Sequence, residues 1–315
     1  MFWEQMLTVA FLGSVLGAGV RLAAPLLFAA LGELFAERSG VLNIGIEGMM
    51  LFGALCGFLG SYFSRNAWIG LLTAMIGGGL LSLIHAYLSI TMGADQVVSG
   101  ISINLLAQGL VTFLNRAIFG LPMLPPSAVP FTKIEIPLLS KIPLLGPLLF
   151  SHHALVYVAL ALVPIVYVTL FRTTFGLRVS AVGEDPRGAE AVGIDIARTR
   201  YICVILGGML SGIGGVTLSL ANLNLFKESI VAGRGYIAIA IVMFARWNPV
   251  TTLGAAFLFG IVDALQMHIQ SLGIALVPPQ LLLSLPYIAT VLFLVSRAGA
   301  SSAPSALCVP YVKEH

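Results

Sequence analysis

Arg172 to Arg200 reads RTTFGLRVSAVGEDPRGAEAVGIDIARTR and carries five arginines and four acids between two long apolar runs. Only 9% of the chain is charged, so this concentration marks a segment that lies in water while its flanks do not. Asp185 is placed to cap a short helix whose first turn begins at Pro186, and Gly193 is placed to end it after about two turns. Ala189 and Val192 are expected on one side of that helix, and Asp195 is expected to cap the next long helix, beginning near Ile196. A short capped helix held between two spans has the form of a docking element that couples the membrane part to a soluble engine. The plainer alternative is an ordinary connecting loop, since cytoplasmic loops are commonly basic.

The composition says why the flanks are membrane. Hydrophobic residues make up 58% of the chain and mean hydropathy is +1.01, above the roughly 45–50% apolar share of soluble domains. The expected fold is all-α, a polytopic membrane helical bundle of about 8–10 transmembrane helices. A net charge of +3 follows from loop arginines and gives no argument for nucleic acid. Cys56, Cys203 and Cys308 lack pairing or metal spacing and read as structural thiols. The first apolar run follows Glu4 without a basic n-region and is expected to be retained.

Runs of membrane length fall at 6–31, 41–63, 67–90, 97–119, 151–171, 199–220, 234–247, 250–270 and 280–296, and together form a permease domain over residues 1–297. The first contains Arg21 and Pro25 and reads as one kinked helix or a tight pair. If 172–200 is a cytoplasmic coupling loop, alternation puts the proline-rich segment 121–150 outside, where it permits only short extended or re-entrant pieces. Residues 298–315 lack apolar periodicity and are expected to form a mobile tail. Gly208 and Gly212 stand at a spacing that lets helices approach closely, as do Gly13 and Gly17.

Polar groups at membrane depth are costly and therefore candidates for function. Gly40-Val-Leu-Asn43-Ile-Gly45-Ile-Glu47-Gly48 breaks what would be a continuous apolar helix, and Gly233-Arg234-Gly235-Tyr236 breaks a later one. Broken helices line substrate paths in transporters. Asn104 and Gln108 lie four apart on one helical face, suited to a hydroxylated or heterocyclic solute or to interhelical bonding. Arg21 and Asp263 are expected to form a structural ion pair with each other or with Glu47. His85, His268 and the pair His152-His153 have no companion ligands, so neither a metal nor another cofactor is expected. Phosphate-loop, GxSxG, HExxH and CxxC motifs are missing, and no catalysis is expected of this chain.

Four ordered stretches carry a resemblance: Glu33 to Met50, Ala94 to Leu106, Ala181 to Ile194, and Gly233 to Ala238 with Arg246-Trp247-Asn248-Pro249. Together they resemble the permease subunits of ABC importers in the branched-chain amino acid and ribose permease superfamily, and within it the nucleoside or simple-sugar branch. The resemblance implies import of nucleosides, or of sugars such as ribose, across the bacterial cytoplasmic (inner) membrane by alternating access. It implies an ABC ATPase subunit, single or as a fused double ATPase, a second related permease subunit and an external substrate-binding lipoprotein. Asn43, Glu47 and Asn104 match motif positions along or beside the path, with Gln108 as their neighbour. Gly183, Glu184, Asp185, Pro186, Arg187, Ala189, Val192, Gly193 and Ile194 would form the ATPase-coupling element. The competing readings are a proton-coupled secondary transporter using Glu47 or Asp263, and a noncatalytic membrane scaffold.

Overall fold

The computed structural model describes residues 9–120, 126–135, 146, 148, 150–271, 279–296 and 303–311. It is a helical bundle in which, among the described residues, seven helices are long and apolar enough to cross a membrane. In chain order the first part is α1 (Val9–Arg38), α2 (Ile46–Ser64), α3 (Ala67–Ala86), α4 (Gln96–Phe119), strands β1 (Lys133–Glu135) and β2 (Ser151–His153), and α5 (Ala154–Arg172). Then come α6 (Thr174–Glu184), α7 (Pro186–Ala191), α8 (Ile196–Val216), α9 (Arg234–Phe244), α10 (Pro249–Ser271) and α11 (Pro279–Ser296). Residues of the run 6–31 from Val9 onward belong to one helix, α1, which carries Pro25 inside it. The run 234–247 yields only the 11 residues of α9, about 16 Å of helix and too short to cross alone.

Glycines draw the bundle together around α8, which packs against α1, α2 and α3. A Cβ on Gly212 would lie 2.2 Å from the Ala74 carbonyl oxygen of α3, and one on Gly53 of α2 would lie 2.4 Å from Gly212 Cα. Such backbone approach replaces the hydrophobic drive that lipid cannot supply between helices. Gly212→Val is therefore expected to cost about 3 kcal/mol or more, read as earlier thermal unfolding in detergent than for the parent chain. The outward face of α5 is apolar in the way lipid requires, as at Ile165 and Val168.

The two ends of the bundle differ. At one end the Arg38 guanidinium lies 4.4 Å from the centre of the Phe171 ring and donates to the Trp247 carbonyl at 3.4 Å. Arg200 Nε donates to the Ser39 carbonyl there at 3.1 Å. At the other end Ser61 donates to the Val129 carbonyl, and Trp68 meets Phe131 edge-on. Of 121–150, residues 126–135 are without helix there, with β1 pairing antiparallel to β2; residues 121–125, 136–145, 147 and 149 lie outside the description.

Three expectations, two about the charged segment and one about the C-terminal tail, are corrected. Residues 172–200 hold two helices rather than one, because Val179, Val182 and Gly183 give α6 a buried face that its charges hide in a composition reading. Ala189 is buried whereas Val192 is 77% exposed. The cause is that α7 ends at Ala191 and Gly193 turns the chain at φ +83°, so Val192 is past the last turn. Within 298–315, residues 303–311 are not a loose tail: Ala306 N donates to the Gly183 carbonyl at 2.9 Å, Ser305 Oγ donates to Glu184 at 2.8 Å, and Tyr311 donates to Glu190. A strand of chain without periodicity of its own is ordered by partners on α6 to α8 that lie far away in sequence.

Candidate functional site

The two interrupted segments meet. Between α1 and α2 the chain leaves the helix at Ser39, turns at Gly40 with φ +90° and re-enters at Ile46. Glu47 stands in the first turn of α2, and its carboxylate accepts from Gly233 N at 2.8 Å and Gly235 N at 2.7 Å. Those amides open α9, so Glu47 occupies the position where a helix N-terminus binds an anion. The approach is so close that a Cβ on Gly235 would sit 2.6 Å from Glu47 N and Cα.

Asn104, on α4, closes the arrangement from a third side. Its Oδ1 accepts from Gly48 N at 2.8 Å, while Nδ2 donates to the Ile44 carbonyl at 3.0 Å and to Tyr236 Oη at 2.9 Å. One amide thus satisfies groups on both sides of the first break and ties them to α9, which is how unwound backbone is tolerated at depth. Glu228, in the non-helical chain before α9, accepts from Thr112 Oγ1 at 3.0 Å.

One cavity of about 320 Å³ is lined here by Glu47 of α2, Asn104 and Gln108 of α4, Glu228 and Ser229 of the chain before α9, and Tyr236 of α9. Three of the four residues expected along the path are brought together there. Asn43 is not: it is fully buried, its backbone amide donates to Glu33 at 2.8 Å, and its Nδ2 contacts the Met49 sulfur at 3.2 Å. It sits within the turn and braces the break from behind. Glu228 and Ser229 were missed because nothing in their local pattern marks them; Tyr236 belongs to the quoted Gly-Arg-Gly-Tyr stretch and was open to notice.

The expected ion pair of Arg21 with Asp263, or of either with Glu47, is also corrected. Asp263 binds Arg234 Nη2 at 2.8 Å, because α9 starts beside α10 and presents Arg234 from its first residue. Within the charged segment, Asp185 accepts from Gly188 N at 3.1 Å and Asp195 from Arg198 N at 2.9 Å. Glu184, Asp185, Arg187, Val192 and Gly193 are exposed, Pro186 and Ile194 are half-buried, and Gly183 and Ala189 face inward. A Cβ on Gly183 would reach 2.1 Å from the Arg38 carbonyl oxygen, so this glycine seats α6 on the end of α1.

Residues 15–295 match the family model for the branched-chain amino acid transport system permease component. The guanosine ABC transporter permease NupQ of Bacillus subtilis is 40% identical over 97% of this chain and 98% of its own length. The nucleoside ABC transporter permease NupC of Lactococcus lactis is 33% identical over 92% of this chain and 93% of its own. A Haloferax volcanii permease, TsgC13, named as a candidate for glucose, is 38% identical over 97% of this chain and 99% of its own. A solved ABC transporter, titled as a candidate metal-chelate type in an inward-facing conformation, shares the fold at a TM-score of 0.52 and 16% identity, over 90% of this chain and 85% of that one. A bundle with two broken helices braced over a polar cavity, matched by this family almost from end to end, places the chain in the branched-chain amino acid transport system permease family: it is a multi-pass membrane permease subunit of an ABC transporter, with ATP hydrolysis carried by a separate subunit.

Proposed function

We propose that this chain imports nucleosides, with its path running past the cavity between the two helix breaks. That cavity is the observation that carries the reading. Its wall offers the amide of Gln108, the phenol of Tyr236 and the hydroxyl of Ser229, a set suited to a heterocycle bearing sugar hydroxyls. Glu47 and Asn104 have most of their hydrogen-bonding capacity engaged by backbone, so their part is to hold the wall in shape. The names of NupQ and NupC support the substrate class.

The membrane is the bacterial cytoplasmic membrane, and the end bearing Arg38, Arg172, Arg178, Arg187, Arg198 and Arg246 is cytoplasmic, in line with the bias of basic residues. The outer corner of α6 and α7, with Val192 at its tip, is the contact for the ATPase, which is single or a fused double unit. Inward-facing Gly183 and Ala189 serve as its footing. The apolar outer face of α4, bearing Leu105 and Phe113, meets a second related permease, and a lipoprotein delivers solute at the opposite end.

The test is uptake of labelled guanosine into proteoliposomes holding the assembled transporter and internal ATP. Excess unlabelled nucleosides are expected to compete and excess glucose is not. Competition by glucose alone would move the substrate to sugars, and uptake driven by a proton gradient without ATP would refute the ATP-driven mechanism.

A further inference from the structure

Arg21 makes no ion pair among the described residues, whereas Arg234 has Asp263. It lies 17 residues before Arg38 on one helix, about 26 Å along the axis. With Arg38 at one end of the bundle, that distance brings Arg21 near the opposite boundary of a hydrocarbon layer about 30 Å thick, where lipid headgroups begin.

A cavity of about 360 Å³ opens beside it, and none of its described lining residues is acidic. Arg21, Lys133, His153, Asn222 and His268 contribute its polar wall from α1, β1, β2, the end of the α8 segment and α10. Asn222 Nδ2 is buried without a hydrogen-bond partner, a condition that in folded proteins calls for a missing acceptor. His153 donates Nδ1 to the Phe131 carbonyl at 2.7 Å. Burial, opposed by that bond and reinforced by the positive charges of Lys133 and Arg21, holds its pKa below the ordinary histidine value. Two full cations and an orphaned amide nitrogen therefore line the cavity with no acid among its described residues, while His153 and His268 have Nδ1 committed to the Phe131 and Ala264 carbonyls.

We infer that this cavity binds a phosphate group, and that the phosphate belongs to the headgroup of an anionic phospholipid. Phosphate has the charge and the several acceptor oxygens that these donors require. The lipid source is favoured by the rim: Leu223 and Met267 line the same cavity and are 49% and 50% exposed, apolar surface where acyl chains would lie. A lipid held there would join α1, α10 and the β1–β2 hairpin at one membrane boundary. The inference does not depend on the transported solute.

The experiment places the full-length chain in nanodiscs of phosphatidylcholine containing a small fraction of phosphatidylglycerol, and native mass spectrometry counts the lipids that stay bound. The wild-type chain is expected to retain phosphatidylglycerol preferentially. Arg21→Gln with Lys133→Gln should reduce that retention on the order of tenfold, and Arg21→Lys should keep most of it. If the lipids show no preference but millimolar inorganic phosphate binds the wild type and not the double variant, the site stands and its occupant is a free anion. A wild-type chain with neither lipid preference nor phosphate binding overturns the inference, whether or not the variants fold.

Discussion

Transport by a Glu47→Ala chain is expected to fall to background. The carboxylate is the acceptor for two backbone amides, Gly233 N and Gly235 N, and hydrogen bonds to a charged group contribute about 1.5–3 kcal/mol each. Removing it leaves both amides at the α9 N-terminus unanswered and unpins the two breaks from each other. Glu47→Gln keeps an acceptor for one amide and turns an N–H donor toward the other, so an intermediate loss is expected. Folded yield decides what kind of loss it is. Equal decline of transport and of folded protein would mark Glu47 as a brace, whereas transport lost from a normally folded Gln variant would show that the charge itself acts on the path. A Glu47→Gln chain that transports at the parental rate would sink both roles.

Val192→Asp is expected to weaken capture of the ATPase on the order of 30-fold, the effect of about 2 kcal/mol at an interface centre. Val192 is 77% exposed, so the change should leave the permease folded and inserted. Ala189→Asp makes the contrast: at 3% exposure it forces a charge among Val182 and Ile196 and should reduce folded yield instead. Co-purification of the ATPase with each variant, normalised to folded permease, reads the difference. Unchanged capture by Val192→Asp would remove this corner from the interface.

Membrane character, the helical class and the sites of the two breaks could be read from the chain alone, because each is written in local composition and periodicity. Apolar runs of membrane length have few outlets other than helices in lipid, and Gly40 to Gly48 and Gly233 to Tyr236 interrupt them visibly. The caps at Asp185 and Asp195 were equally legible, since a cap acts within three residues of itself.

What required the tertiary structure was every pairing across the bundle. The Glu47 carboxylate and the α9 amides are separated by 186 and 188 residues in sequence, and no local pattern says which helix start will face which acid. Arg21 and Asp263 illustrate the same limit: both were recognisable as costly charges, yet the partner of Asp263 was fixed by where α9 begins. Asn43 and the strap at 303–311 were misjudged for this reason too. Sequence sets which groups must be satisfied at depth, because desolvation is a property of the residue and its run; packing sets which group satisfies which, because that depends on the distances between helices far apart along the chain.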